Sequence, residues 1–248
     1  MSTETPTLPA RPATEAPAPA KRSAVEGIKE ASRGLRGTIL EELARDSDHF
    51  SEQDKQLIKF HGSYQQEDRD ARKNRRKEGI GKHYMFMVRC KIPGGRLTAQ
   101  QYLTVDDLAS AYGNNTLRFT TRQGIQLHGI LKGHLRDTIA GINSCLLSTL
   151  GACGDVERNV MACPAPHYHS PVHAQLQETA KLIAAHLAPR TRGYHEIWLN
   201  GRPLDHTTGL SPEAVAAAHE GTAVPGSDDD PLYGKVYLPR KFKTGLAL

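Results

Sequence analysis

Two short polar segments put cationic and hydrogen-bonding side chains at alternate positions: TTRQGIQLH at 120–128 and LPRKFKT at 238–244. Alternate residues of an extended strand share a face, so Thr120 with Arg122, and Gln126 with His128, would present a hydroxyl, a guanidinium, an amide and an imidazole together. An Arg fork grips a carboxylate bidentately, where Lys offers only a point charge. In the second segment Lys241 and Lys243 share a face, and two ammonium groups about 7 Å apart repel unless an anion sits between them. Both patterns fit an anion-binding pocket. They also fit a solvent-facing sheet surface and a solvated basic stretch.

Two further arginines have the same ambiguity. In HYMFMVRCKI (83–92), Arg89 shares a strand face with Met85 and Met87, and a cation on such a face implies a partly dry pocket. In GDVERNVMACP (154–164), Arg158 is either a pocket cation or a surface group paired with Asp155 or Glu157. HYHSPVH (167–173) holds His167, His169 and His173, but Pro171 breaks the geometry and no carboxylate or thiolate completes a ligand set. No metal site is assigned. The four cysteines, Cys90, Cys145, Cys153 and Cys163, contain no CxxC pair and read as free thiols.

The elements that must position these groups follow from hydrophobic periodicity. Residues 24–46 suit one or two short helices broken near Gly34 and Gly37, and the charged stretch 60–82 should run over a surface. Tyr84, Phe86, Val88, Cys90 and Ile92 alternate as the buried face of a strand. Thr98 and Gln101 form a capping box for a helix that runs to about Tyr112 and stops at Gly113. Strands follow over Leu117–Arg122 and Ile125–His128, then a helix spaced by Leu135, Ile139, Ile142, Leu146 and Leu150. A helix over 173–188 and a strand over 194–201 belong to a second region. The order of elements is α+β.

Composition narrows the class of protein. The chain has 248 residues and a formal net charge of +5, with a pI near 9.0, which favours an acidic partner. Residues 1–25, rich in Pro and Ala, read as a disordered tail with no apolar run of membrane-spanning length. Without a secretory signal or a disulfide framework, the expected compartment is the cytoplasm. The basic segment Arg69–Lys82 lacks interleaved aromatic residues, which argues against nucleic acid.

The motifs FHGSYQQEDRDAR, MFMVRCKIPGG, LRFTTRQGIQLHGIL, CGDVERNV and YLPRKFKT occur in this order and closely resemble the N-terminal half of sulfite reductase haemoproteins, of the sulfite/nitrite reductase family. The resemblance runs from about Leu35 to Thr244. It implies a six-electron reduction of sulfite to sulfide at a siroheme coupled to a 4Fe-4S cluster. Matched position by position, Arg89, Arg158, Lys241 and Lys243 resemble the four cations around the substrate. Thr120, Arg122, Gln126 and His128 resemble part of the cradle for the macrocycle's carboxylates. Lys243, where related nitrite reductases tend to carry Asn, favours sulfite over nitrite.

The resemblance also implies a division into a tail (1–25), a helical lead-in (26–54), a ferredoxin-like half domain (55–150) and the start of a mixed α/β siroheme-binding domain (151–248). Two departures accompany it. Gly154 stands where some relatives have Asn, and none of the four cysteines matches the family's cluster ligands. The chain is therefore expected to be inactive alone, whether a truncated product or one piece completed by a C-terminal half. The implied electron donor is an acidic ferredoxin or flavoprotein. The alternatives are a nitrite reductase of the same family and a non-catalytic module that binds an acidic partner.

Overall fold

The computed structural model describes residues 23–165, 167, 169–189, 191 and 194, and the backbone of 197–199, 202–204 and 244–247. The stretch expected to be a tail, residues 1–22 of it, lies outside the described residues, as do Lys241 and Lys243.

Four antiparallel strands form the central sheet in the order β1-β2-β4-β3, with β1 at Ser63–Glu67, β2 at Tyr84–Cys90, β3 at Leu117–Phe119 and β4 at Ile125–Ile130. One face of that sheet is apolar. Phe86, Val88 and Cys90 of β2 and Ile125, Leu127 and Ile130 of β4 are fully buried, packed with Val105 and Ala109 of helix α5 (Ala99–Tyr112) and with Leu135 and Ile142 of helix α6 (Leu135–Ser144). Each large side chain so buried contributes roughly 1.5–3 kcal/mol from the hydrophobic effect. The fold is α+β, with helices on one face and the polar alternate residues on the other. Helix α5 begins with the expected capping box: Gln101 N donates to Thr98 Oγ1 and Thr98 N donates to Gln101 Oε1.

Before the sheet, α1 (Ala24–Ala31) and α2 (Ile39–Leu43) are separated by a turn in which Gly34 and Gly37 have positive φ, followed by α3 (Asp54–Leu57). The sequence pattern anticipates this break. It does not anticipate β1. Only part of the charged stretch 60–82 lies on the surface. Phe60, His61 and Ser63 are buried and lead into β1, while the helix α4 (Arg69–Lys77) has no buried residue. Asp68 caps α4 by accepting from the backbone of Asp70 and Ala71.

Two other sequence expectations are corrected. The strand β3 ends at Phe119, so Thr120 and Arg122 lie in a hairpin turn rather than on a strand face. Thr120 N donates to Gly124 O, Gly124 N donates to Thr120 Oγ1, and Gln123 has φ +58°. Helix α6 stops at Ser144 because Leu146 adopts φ +63°, which ends helical geometry and leaves Leu146 90% exposed. The chain then doubles back, and Ser148 forms a bridge with Lys91 at the end of β2.

Past this point, β5 (Glu157–Met161) pairs in parallel with β8 (Thr244–Ala247), with Glu157 opposite Thr244. Helix α7 (Pro171–His186) covers β5, with Ala180 and Ala184 against Val160 and Ala162. The expected strand over 194–201 corresponds to β6 (Ile197–Leu199), paired with β7 (Arg202–Leu204).

Candidate anion site

The polar face of the sheet carries Arg89 on β2 and Gln126 on β4, which are register partners, with Arg118 of β3 opposite Gln126 on the other side. The buried Gln126 amide, with its oxygen toward Arg89, accepts from Arg89 Nη2 and, at 3.0 Å, from Arg89 Nε. Its nitrogen then donates to His128 Nε2 at 3.2 Å, which leaves the imidazole proton on Nδ1. Burial, with the Arg118 and Arg89 charges adding to it, holds the His128 pKa below its ordinary value. Histidine at this position is therefore a neutral hydrogen-bonding group at pH 7, not a cation.

The segment Ala152–Gly154 anchors the two arginines. Arg89 Nη1 donates to Ala152 O and Arg158 Nε donates to Gly154 O, each at 3.0 Å. Gly154 has φ +90°, and a Cβ there would lie 2.7 Å from Phe60 Cε1, so this glycine is required by the backbone and by the ring it approaches. Cys153 between the two carbonyls is fully buried. Burial raises its pKa, opposed by the charges of Arg89, Arg158 and Arg122. Those three guanidinium charges thus all act on one thiol.

The arginines also act on one another. Burial lowers the pKa of Arg89, and the Arg158 and Arg122 charges push it the same way. It remains protonated across the physiological range. Among the described residues, none of Arg89, Arg122 and Arg158 is in an ion pair with a carboxylate. Arg158 is 9% exposed, and neither Asp155 nor Glu157 is its partner. A cluster of part-buried cations without counter-ions is electrostatically costly and suits a multiply charged anion.

Four residues that sequence reasoning did not single out hold this arrangement together. Asn159 Nδ2 donates to Ile92 O at 2.8 Å and to Arg122 O at 2.7 Å, tying β5 to the end of β2 and to the 120–124 turn. Gln123 clamps the same turn to the end of β5: its Nε2 donates to Ala162 O and its Oε1 accepts from Ala162 N. Lys91 donates to Glu157 Oε2 at 2.7 Å. The available signal was alternation, because Glu157 and Asn159 flank Arg158 and so turn to the opposite side of β5.

Of the residues named from sequence, Arg89, Arg122, Arg158, Gln126 and His128 come together. Thr120 is also present, but its hydroxyl is engaged by Gly124 N in the turn. The histidines of 167–173 are elsewhere: the His167 and His173 rings have centroids 4.5 Å apart. Among the described residues no three His, Cys, Asp or Glu side chains converge as a metal site. All four cysteines are free, with Cys90 and Cys153 buried and Cys145 and Cys163 partly exposed.

Residues 78–145 match the family described as "Nitrite/Sulfite reductase ferredoxin-like half domain". The chain is 46% identical over 229 residues to a protein of Staphylococcus saprophyticus named "Sulfite reductase [NADPH] hemoprotein beta-component", covering 92% of this chain and 37% of that protein. A Geobacillus kaustophilus protein of the same name is 48% identical over 227 residues, covering 91% of this chain and 37% of the relative. The solved Mycobacterium tuberculosis NirA protein aligns with a TM-score of 0.49 at 25% identity, covering 57% of this chain and 27% of that one. The chain therefore spans a little over a third of the length of these relatives. Among the described residues, no helix is long and apolar enough to cross a membrane. Residues 78–145 thus match the half domain of the nitrite and sulfite reductase family, and nine-tenths of the chain aligns with relatives named as sulfite reductase haemoproteins.

Proposed function

We propose that the chain forms the anion-facing side of a sulfite reductase haemoprotein that converts sulfite to sulfide in the cytoplasm. In this reading Arg89 and Arg158, with Lys241 and Lys243, surround sulfite, while Arg122, Gln126, His128 and Thr120 face the carboxylates of siroheme. The supporting observation is that the charges of three guanidinium groups act on Cys153 and that, among the described residues, none of the three is in an ion pair with a carboxylate. Thr244, the residue after Lys243, is the register partner of Glu157, which adjoins Arg158, and this too supports the assignment. Residues 55–150 would then be the ferredoxin-like half domain and 151–248 the start of the siroheme-binding domain.

The residues described suit the macrocycle and do not suit the iron-sulfur cluster. Unopposed guanidinium groups match a polycarboxylate, and the neutral His128 and the Gln126 amide offer hydrogen bonds without further charge. Four free cysteines, two of them fully buried, form no four-thiolate set, so we place the cluster ligands in the part of the relatives' length that this chain does not span. Siroheme would supply the electron-transfer chemistry. The chain's own part is to offset negative charge in a site shielded from water, and to orient the oxyanion by paired N–H donors that do not need to reorganise. Arg89, held by Ala152 O and the Gln126 amide, cannot collapse onto a neighbouring carboxylate when the anion leaves. The partner implied is an acidic electron donor, a ferredoxin or a flavoprotein, and the relatives' names specify NADPH.

Titration of siroheme and of sulfite into the chain and its Arg89→Ala and Arg158→Ala variants tests this assignment, with absorption spectra for the first and calorimetry for the second. A charge-assisted hydrogen bond contributes about 1.5–3 kcal/mol, so each variant should bind sulfite roughly 10- to 100-fold more weakly. Equal affinity in all three proteins would overturn it. Nitrite, tested in parallel, should compete less well.

A further inference from the structure

Helix α4 and the loop after it carry the excess charge of the chain. Residues 69–82 hold seven Lys and Arg and two Asp and Glu, a net of +5 that equals the formal charge of all 248 residues, so the rest of the sequence is balanced. The helix has no buried residue. Its ties to the protein are local: Asp68 caps it, Arg72 Nη2 lies 3.0 Å from Glu67 Oε2, and Arg75 Nε donates to Gly81 O at 2.8 Å. With 3.6 residues per turn, Arg69, Lys73, Arg76 and Lys77 fall within roughly 100° of the circumference. All four are exposed, while the half-buried Ala71 and Arg75 take the opposite side. The cations thus form one stripe that faces outward.

Among the described residues, none of these four is in an ion pair. Lys73 is moreover an i,i+4 neighbour of both Arg69 and Lys77, and like charges at that spacing destabilise a helix. An external anion relieves this repulsion. The helix is about 13 Å long, more than one small anion can span and well suited to carboxylates spread over a protein surface. Ile80, just past the helix and 49% exposed, adds an apolar contact of the kind that anchors protein interfaces. No aromatic side chain lies within residues 69–82 to stack on bases. We infer that the exposed stripe of α4 is a docking surface for a carboxylate-rich protein, the acidic electron donor of the proposed function.

The identity of the partner rests on that function; the chemistry of the surface does not. β2 begins two residues after Lys82 and carries Arg89 about 17 Å further along the strand, beyond the screening length of roughly 8–10 Å at physiological salt. Substitutions in α4 should therefore leave the anion site unchanged, so the two can be tested apart. The full chain is prepared as wild type, as Lys73→Gln/Arg76→Gln/Lys77→Gln, and as Arg45→Gln/Arg136→Gln/Lys181→Gln, which removes the same charge elsewhere. Gln is a good helix former, and circular dichroism checks that α4 survives. Binding of two small acidic carriers, a plant-type ferredoxin and a flavodoxin, is measured by calorimetry at low and at physiological salt. Wild type should bind at least one of them, less tightly as salt rises, and the α4 variant should bind it about tenfold more weakly while the control stays within about twofold. Equal weakening in both variants marks a response to net charge and overturns the inference. So does a failure of wild type to bind either carrier, or tighter binding of a short DNA duplex. Sulfite affinity of the α4 variant should match wild type. If wild type binds no sulfite yet binds a carrier through α4, the proposed function fails and the docking surface stands; if it binds sulfite but neither carrier, the reverse holds.

Discussion

Arg89 and Arg158 donate to backbone carbonyls only two residues apart, those of Ala152 and Gly154. Strands from distant parts of the chain therefore share one short anchor, and the spacing of two cations is set by three residues of backbone. Gly154 is its most constrained member. Gly154→Ala places a Cβ against the Phe60 ring at a φ that L residues rarely adopt. It should lower stability by about 1–3 kcal/mol in urea denaturation, and sulfite affinity should fall with it because Gly154 O moves.

Asn159 supplies the second restraint. Its amide nitrogen donates to the carbonyls of Ile92 and Arg122, the first bond buried and the second part-buried. Asn159→Ala leaves two acceptors unsatisfied and should cost about 2–4 kcal/mol by chemical denaturation. Asn159→Asp cannot donate and should be no better.

The pH dependence of folding is set in part by His61. This residue is fully enclosed, with Nε2 2.7 Å from Leu35 O and its ring stacked on Tyr194. Burial lowers its pKa from the ordinary value of 6.5, while the Leu35 carbonyl and Asp54 oppose that shift. A depressed pKa means that the unfolded chain binds the proton more readily. The stabilisation is complete above pH 6.5 and is lost as pH falls through the folded value. Thermal melts between pH 7.5 and 5 should show the decline, and His61→Gln should flatten it, leaving a smaller slope from His128.

Thiol chemistry offers an independent check on burial. Desolvation pushes the Cys90 pKa up to about 12, and the Cys153 pKa is also raised. Only the thiolate reacts. Mass spectrometry after iodoacetamide treatment of the native chain should show Cys145 and Cys163 modified first, with Cys90 and Cys153 protected until urea is added.

Much of the scaffold was legible in the sequence because single elements carry strong local signals. The alternation of Tyr84 to Ile92, the Thr98 capping box and the break at Gly34 and Gly37 each correspond to an element or a break found in the structure. Local signals failed where geometry depends on one unusual backbone conformation. The αL conformations of Gln123 and Leu146 turn a supposed strand into a hairpin loop and end a supposed helix early. Neither residue type advertises a positive φ. Within the site, the arginines stood out by pattern and by family resemblance. Lys91, Glu157 and Asn159 did not, because their significance arises from pairings between strands about 65 residues apart, which no local window contains.

The parallel pairing of β5 with β8 joins Glu157 to a residue roughly 90 positions later. The hairpins of the four-stranded sheet need much shorter closures, so they have a kinetic advantage during folding. The arginine cluster, built from β2, β4, the 120–124 turn and β5, can therefore be set early. During synthesis, an anion-receptive surface would exist before β8 leaves the ribosome to flank it.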